Sequence, residues 1–351
     1  MGYVLAVDLG GTSIKFGLVS DTGHIVERHQ LKTPKDGGPA AVVRRIVEGL
    51  AVLREGLGEA RRAPLQTGTP QGERDPAHDR AVVGVGVGVP GLVDVARGIV
   101  HLAPNLGWRD VSFGALLEEA LDLPFALEND ANAALLGERW RGAAIGVQDA
   151  IMVTLGTGVG GAVLSGGRIL RGTAGMAGEI GHMPVHLDGV RCGCGNIGCL
   201  ETESSATALV RHVEEMLARG TKSLLRPTVD GKARPTPLDI VRAAEAGDEV
   251  ALAAFRRVGH YLGVALGGLV NVFNPERILI GGGLSASWEL FRSALWEALR
   301  AHAMPENLAS VRVERAALGN DAGVVGAAYA VFSRLGRFVS DPSARTITKE
   351  G

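Results

Sequence analysis

The alternation of apolar and polar positions changes period along the chain, and the order of those changes occurs twice. Residues 2–7 form an apolar run that ends in Asp8-Leu9-Gly10-Gly11-Thr12, and residues 13–19 alternate, so a strand, a tight Gly-rich turn and a returning strand are predicted. A third strand is expected over residues 24–32. Between residues 40 and 57, Val43, Ile46, Val47, Leu50 and Leu53 recur three and four apart, the spacing of an amphipathic helix. Residues 61–80 carry Pro, Gly and charge without any period and read as an inserted loop. Residues 81–89 are then a buried strand, stopped at Pro90-Gly91.

The second half repeats this order. Residues 150–155 predict a strand, Gly156-Thr157-Gly158-Val159-Gly160-Gly161 a Gly-rich turn, and residues 162–165 the start of a return strand. Residues 277–280 predict a strand closing on Gly281-Gly282-Gly283, the counterpart of the one closing at Pro90-Gly91. A second echo sets Ala126-Leu127-Glu128-Asn129-Asp130-Ala131 against Ala317-Leu318-Gly319-Asn320-Asp321-Ala322, each at a strand end and each leading into an Ala-rich helix. Two related α/β halves imply a two-lobed protein with a ligand-binding cleft.

Composition narrows the class. A chain of 351 residues is long enough for about two domains with real cores. Lys+Arg 36 against Asp+Glu 38 leaves a net charge of -2 with both signs interspersed, so nucleic acid and membrane surfaces are not expected partners. The apolar run over residues 261–273 is too short to span a bilayer, and Asp8 and Lys15 break the plan of a secretory signal, so a cytoplasmic protein is expected. The glycines number 51, about twice average usage, without the three-residue period of collagen.

The chemistry concentrates in a few places. All three cysteines, Cys192, Cys194 and Cys199, fall in one Gly-rich loop, and with His182 ten residues upstream they make a tetrahedral donor set for Zn²⁺. Four protein ligands close the shell, so the metal is expected to be structural. Folding around it would bring together Glu179, His182 and Glu201, acceptors suited to a polyhydroxylated ligand, although either glutamate could instead orient His182. The turn at Asp8, Gly10, Gly11 and Thr12 lets backbone approach a phosphate, with Asp8 able to hold Mg²⁺ through water, but it also suits a plain hairpin turn. The second turn contains the dinucleotide fingerprint, which must open a helix; strand follows here, so a second phosphate-cradling hairpin is the better account. No Gly-Lys-Ser or Gly-Lys-Thr follows either turn, which excludes a P-loop. Asp130 stands where an aspartate ordinarily caps a helix, as does Asp321; Glu128, Asn129 and Asn105 nearby favour Asp130 for chemistry and leave Asp321 to capping.

These motifs resemble the ROK sugar kinases (repressor, open reading frame, kinase) of the actin-like and hexokinase-like ATPase superfamily, and among them the bacterial glucokinases. The likeness runs from Asp8 to about residue 332 and is most specific at Glu179-x-Gly181-His182 and at Cys192-Gly193-Cys194-Gly195-Asn196-x-Gly198-Cys199-Leu200-Glu201. It implies a two-lobed α/β actin-like (ribonuclease H-like) fold, with residues 1–131 plus 323–340 as a small domain, residues 132–322 as a large domain holding the zinc loop 182–201, and residues 341–351 as a disordered tail. It implies ATP-dependent phosphorylation of glucose at the 6-hydroxyl, with Asp130 as catalytic base and Asn105, Asn129, Asp130, Glu179, His182 and Glu201 contacting sugar. ATP and its Mg²⁺ would be held by Asp8, Gly10, Gly11, Thr12 and Lys15, by Gly156, Thr157, Gly158, Gly160 and Gly161, and by Gly281, Gly282 and Gly283. Zn²⁺ would sit on His182, Cys192, Cys194 and Cys199, and a homodimer or homotetramer is implied. Kinases for N-acetylmannosamine, N-acetylglucosamine or fructose share the same motifs. A sugar-responsive repressor of the family carries an N-terminal helix-turn-helix, for which the hairpin within the first ten residues is expected to leave no room. An actin- or chaperone-like ATPase would have no use for a zinc loop flanked by glutamates.

Overall fold

A computed structural model describes residues 2–55, 81–226 and 234–336. They group into two compact units: the first holds Met1–Val147, Arg171–Ala177 and Asn320–Gly351, the second Gln148–Leu170 and Gly178–Gly319. The insertion at residues 61–80 and the tail at residues 341–351 lie outside the described residues.

In the first unit, β1 (Tyr3–Leu9) pairs antiparallel with β2 (Ser13–Ser20), which pairs antiparallel with β3 (Ile25–Lys32). On its other edge β1 runs parallel to β4 (Val82–Val89), and β4 parallel to a later strand, Phe125–Asn129. Helix α1 (Gly38–Glu55) buries Val43, Ile46, Leu50 and Leu53, four of the five positions read from the spacing; the fifth, Val47, stays 37% exposed. Apart from Asp8, strand β1 is apolar because both of its faces are covered. Leu5, Val7 and Leu9 pack on the side of α1, whereas Val4 and Ala6 pack against the last described helix, Ala322–Arg334. The Val-Gly alternation of β4 has the same origin. Val85, Val87 and Val89 fill the α1 side, and a Cβ on Gly86 would strike the backbone of Ala327, so glycine lets that helix lie directly on the sheet. A small meander, β5 (Leu92–Asp94), β6 (Ile99–Ala103) and β7 (Trp108–Val111), precedes α2 (Phe113–Ala120), β8 (Phe125–Asn129) and α3 (Asp130–Arg141).

The second unit has the same strand order. Strand β9 (Ala150–Leu155) pairs antiparallel with β10 (Val159–Ser165), which pairs with β11 (Arg168–Ile169); β9 runs parallel to β12 (Arg277–Gly281), and β12 to β13 (Arg312–Arg315). The helices are α4 (Leu200–Ser204), α5 (Ala206–Ala218), α6 (Pro237–Glu245), α7 (Glu249–Phe273), α8 (Trp288–His302) and α9 (Pro305–Leu308), with α10 (Ala322–Arg334) returning to the first unit. Two units of matching topology are the architecture that the resemblance implies. Among the described residues no helix is long and apolar enough to cross a membrane.

The structure differs from the sequence reading in three places. Helix α3 was expected to open the second domain, but a Cβ on Gly326 of α10 would strike the backbone of Ala133, and the two helices pack so closely that the first unit extends to Val147. Strand β10 begins at Val159, so Gly160 and Gly161 are strand residues and the turn is Gly156 to Gly158 alone. Asp321 does not cap α10: its carboxylate makes no capping hydrogen bond and pairs instead with Arg28 at 2.8 Å. An arginine fork reaching from β3 satisfies that carboxylate better than the helix N–H groups.

Candidate active site

Each Gly-rich turn is closed from elsewhere in its own unit. In the first, Gly10 donates its N–H to Ser13 O (3.0 Å), while Thr33 donates its hydroxyl to Gly10 O (2.6 Å) and its N–H to Thr12 O (3.0 Å). Asp8 faces Lys15 across the β1–β2 register and accepts from its Nζ at 3.3 Å. Burial raises the proton affinity of Asp8, and the charge and hydrogen bond of Lys15 oppose that shift. Gly323, in the first turn of α10, abuts the carboxylate: a Cβ there would lie 2.7 Å from Asp8 Cγ. Asn105, exposed on the turn Pro104–Leu106, touches the same hairpin, since a Cβ on Gly11 would lie 3.0 Å from Asn105 Cβ.

At the start of α3 the capping is done by Asn129. Its Oδ1 accepts from the N–H of Asn132 (3.0 Å) and its Nδ2 donates to Gly91 O (3.0 Å). Asp130 is therefore the first helical residue, half-buried, and its Oδ1 accepts from the N–H of Ala131 at 2.9 Å. The helix N-terminus favours the ionised form of a carboxylate placed there.

In the second unit the turn of Gly156, Thr157 and Gly158 is braced by the start of α5. Ala206 donates its N–H to Gly156 O and Thr207 its hydroxyl to Thr157 O, both at 2.8 Å. Gly282, with φ +80°, lies against Leu155 so closely that a Cβ would overlap its backbone, which sets the glycines after β12 beside this turn. Glu201, on α4, accepts from the N–H of Val159 at 3.0 Å. The turn Ile180–His182 lies on β10, where a Cβ on Gly181 would strike Val159 O. His182 thereby points Nδ1 at Cys192 Sγ (3.7 Å) and Nε2 toward a Glu179 carboxylate oxygen (4.0 Å). Although 39% of its side chain reaches solvent, the protein around Glu179 strips enough water to raise its proton affinity; His182 opposes the shift and Glu201 adds to it.

The ligand atoms of His182, Cys192, Cys194 and Cys199 all lie within 4.8 Å of one another. A tetrahedral zinc ion with Zn–S bonds near 2.3 Å holds its sulfurs about 3.8 Å apart. Cys194 Sγ and Cys199 Sγ stand 3.7 Å apart, so the donor set fits one such ion with its shell closed by protein. Burial pushes the thiols of Cys192 and Cys199 up, the latter to about 12. Burial acts on Cys194 as well, but the backbone of Asn196 and the neighbouring thiols bring it below the ordinary thiol value.

Among the candidate residues, Asp8, Gly10, Gly11, Thr12, Lys15, Asn105, Asn129 and Asp130 belong to the first unit. Glu179, His182, Glu201, the three cysteines and the remaining glycines belong to the second, where Glu179, His182 and Glu201 adjoin one another through the cysteine loop. Sequence reasoning passed over Thr33, whose bonds to Gly10 and Thr12 span about twenty residues with no local pattern. It also passed over Glu203, wholly buried two residues after Glu201, which accepts from Arg257 (3.1 Å) and meets His186 of the cysteine loop at 2.9 Å.

The sequence profile of the ROK family matches residues 73–334. The chain is 36% identical over 330 residues to a glucokinase of Halalkalibacterium halodurans, covering 94% of each chain. Its structure is similar to the crystal structure of a ROK family glucokinase from Streptomyces griseus in complex with glucose and AMPPNP, with a TM-score of 0.77 and 34% identity over 93% of this chain and 98% of that one. It is also similar to the crystal structure of a ROK family transcriptional regulator homologous to the E. coli MLC protein, with a TM-score of 0.80 and 25% identity over 96% of this chain and 79% of that one.

Proposed function

The chain belongs to the ROK family, and from that premise we propose that it is an ATP-dependent hexokinase that phosphorylates glucose at the 6-hydroxyl. The observation that carries the mechanism is at the start of α3: Asn129 caps the helix, and Asp130 follows it in the first turn, where the helix N-terminus favours its ionised carboxylate. In this reading Asp130 accepts the proton of the sugar hydroxyl that attacks the γ-phosphate. Phosphoryl transfer passes through a loose transition state, so the proton leaves late and aiming the hydroxyl matters more than base strength.

Asn105, Asn129, Glu179, His182 and Glu201 supply the remaining sugar contacts. His182 does two jobs, with Nδ1 turned to the thiols and Nε2 available to a sugar hydroxyl, so the tautomer is set by its partner on the other nitrogen. His182, Cys192, Cys194 and Cys199 would hold zinc with a shell closed by protein, which would tie the loop to His182 and supply no chemistry to the substrate. The substrate nucleotide is MgATP. The turns at Gly10, Gly11 and Thr12 and at Gly156, Thr157 and Gly158, with the strand glycines Gly160 and Gly161, would take its phosphates; Asp8, paired with Lys15, would serve its Mg²⁺, and Gly281, Gly282 and Gly283 would serve the adenosine side. The enzyme acts in the cytoplasm at the entry to glycolysis, as a homodimer or homotetramer.

Glucose is favoured over N-acetylmannosamine, N-acetylglucosamine and fructose by the 36% identity to a glucokinase over 94% of this chain, and a kinase over a regulator by the margin of that identity over the 34% across 75% of the chain, and the 32% across 95% of it, to two xylose-repressor relatives. An ATP-coupled assay across glucose, mannose, fructose and the two N-acetylated hexosamines tests both choices. Glucose should give the highest kcat/KM; a higher value for another sugar would replace it, and no ATP-dependent turnover of any would reject the kinase.

A further inference from the structure

Glu128 stands two residues before the proposed base with a side chain only 2% exposed. A carboxylate so enclosed is strongly unfavourable unless donors surround it. Four do. Its Oε1 accepts from the N–H of Asn129 (3.0 Å), from Asn132 Nδ2 (3.2 Å) and from one guanidinium nitrogen of Arg171 (2.9 Å), and its Oε2 from the other (2.6 Å). The hydrogen bond to Glu128 is also the chief reason the Arg171 guanidinium holds its proton more tightly than usual. Asn132 in turn donates its own N–H to Asn129 Oδ1, so the Glu128 carboxylate and the two asparagines enclose the first turn of α3, where Asp130 sits.

Arg171 reaches Glu128 from 43 residues away, and its backbone is itself fixed. It opens Arg171–Ala177, a stretch that belongs to the first unit although the second unit's residues flank it in sequence. The stretch is closed by a hydrogen bond from Ala177 N–H to Arg171 O (3.0 Å). Gly175, with φ +76°, seats it on β5, where a Cβ would lie 3.3 Å from Val93 O. The planar fork matches both oxygens of the carboxylate, which a lysine could not do.

We propose that Arg171 is a positioning residue for Asp130: its two-pronged pair with Glu128 fixes the acceptor on which Asn129 and Asn132 rest, and so the turn that aims the base. This rests on Asp130 being that base. Without the fork, Glu128 must draw in water or a proton, and either one rearranges the hydrogen bonds around residue 130.

The test compares Arg171→Met, Glu128→Gln and the double variant in the full chain. Each single change should lower kcat about 10- to 100-fold, the scale of a small misplacement of a reacting group, while KM for ATP stays within about threefold. The double variant should be no worse than either single one, because both break the same contact. Arg171→Lys should recover only part of the loss. An unchanged kcat, or losses that multiply in the double variant, would overturn the proposal. A second readout needs no substrate: in isotope-labelled protein the amide signals of Asn129 and Ala131 and the side-chain NH₂ of Asn132 should shift in Arg171→Met. If they do not move, the tether is wrong whatever sugar is turned over, whereas a wild-type protein inactive on glucose would overturn the proposed function and not the tether.

Discussion

Glu201 accepts a hydrogen bond from the backbone N–H of Val159 at 3.0 Å, while its other carboxylate oxygen receives the Cys192 thiol at 3.6 Å. One side chain thus joins the second Gly-rich turn to the cysteine loop. The join depends on Gly158, where a Cβ would run into the Glu201 carboxylate. Gly158 has an ordinary backbone conformation, so the constraint is space alone. Gly158→Ala should therefore displace Glu201 and lower kcat/KM for glucose and for ATP together by about 10- to 100-fold. Steady-state kinetics within twofold of wild type would show that Glu201 tolerates the displacement.

Replacing Asp130 should cost rate, and replacing Asn129 should cost stability in addition to its sugar contact. Asp130→Asn keeps the size of the side chain and removes its basicity, so kcat should fall about 10²- to 10⁴-fold with glucose still bound, as read by titration calorimetry. Asn129→Ala removes the cap of α3, and should cost about 1 kcal/mol of unfolding free energy in denaturant titrations. If Asp130→Asn turned over at the wild-type rate, the base would have to be sought elsewhere.

The cysteine loop offers a third check. Cys194 is the exposed member of the cluster, so Cys194→Ser changes little packing and acts through the lost ligand. Wild-type protein should carry one zinc ion per chain and the variant less, the melting temperature should fall, and KM for glucose should rise because His182 loses the metal that would fix its orientation. Treatment of the wild-type protein with a chelator should reproduce all three changes. Normal sugar affinity in zinc-free protein would uncouple the loop from the sugar contacts.

What the sequence disclosed and what it hid follow from the range of the interactions. The two hairpins, the strand at Val82–Val89 and helix α1 were legible because each has one apolar period and a Gly or Pro stop. The cysteine set was legible because its ligands crowd into a few residues around glycines. The meander β5–β7 was not, since strands of three to five residues are too short to show a period. Helix α6 had a readable start in the reciprocal cap of Thr236 and Asp239, whereas α4 spans five residues behind Cys199 and has no such sign. Asp321 misled because a capping position in sequence says nothing of Arg28 waiting 293 residues away, and Arg171 escaped for the same reason. Long-range ion pairs leave no period behind them.

His212 sets an acid limit on stability. It is 1% exposed, its Nε2 donates to Glu203 O at 2.9 Å, and its Nδ1 is buried without a hydrogen-bond partner. Burial holds its pKa down to about 4, against a pull upward from the Glu203 backbone and a further push down from Arg257 and Arg211. In the unfolded chain an ordinary histidine titrates near 6.5, so between about pH 6.5 and pH 4 the unfolded state binds the extra proton and stability falls as the pH drops. Between pH 7 and pH 5 this one group should remove about 2 kcal/mol of unfolding free energy. His212→Gln keeps a donor for Glu203 O and cannot titrate, so urea unfolding at the two pH values should show a smaller loss in the variant by that amount. Equal losses in both proteins would mean that His212 exchanges its proton with solvent as freely when folded as when unfolded.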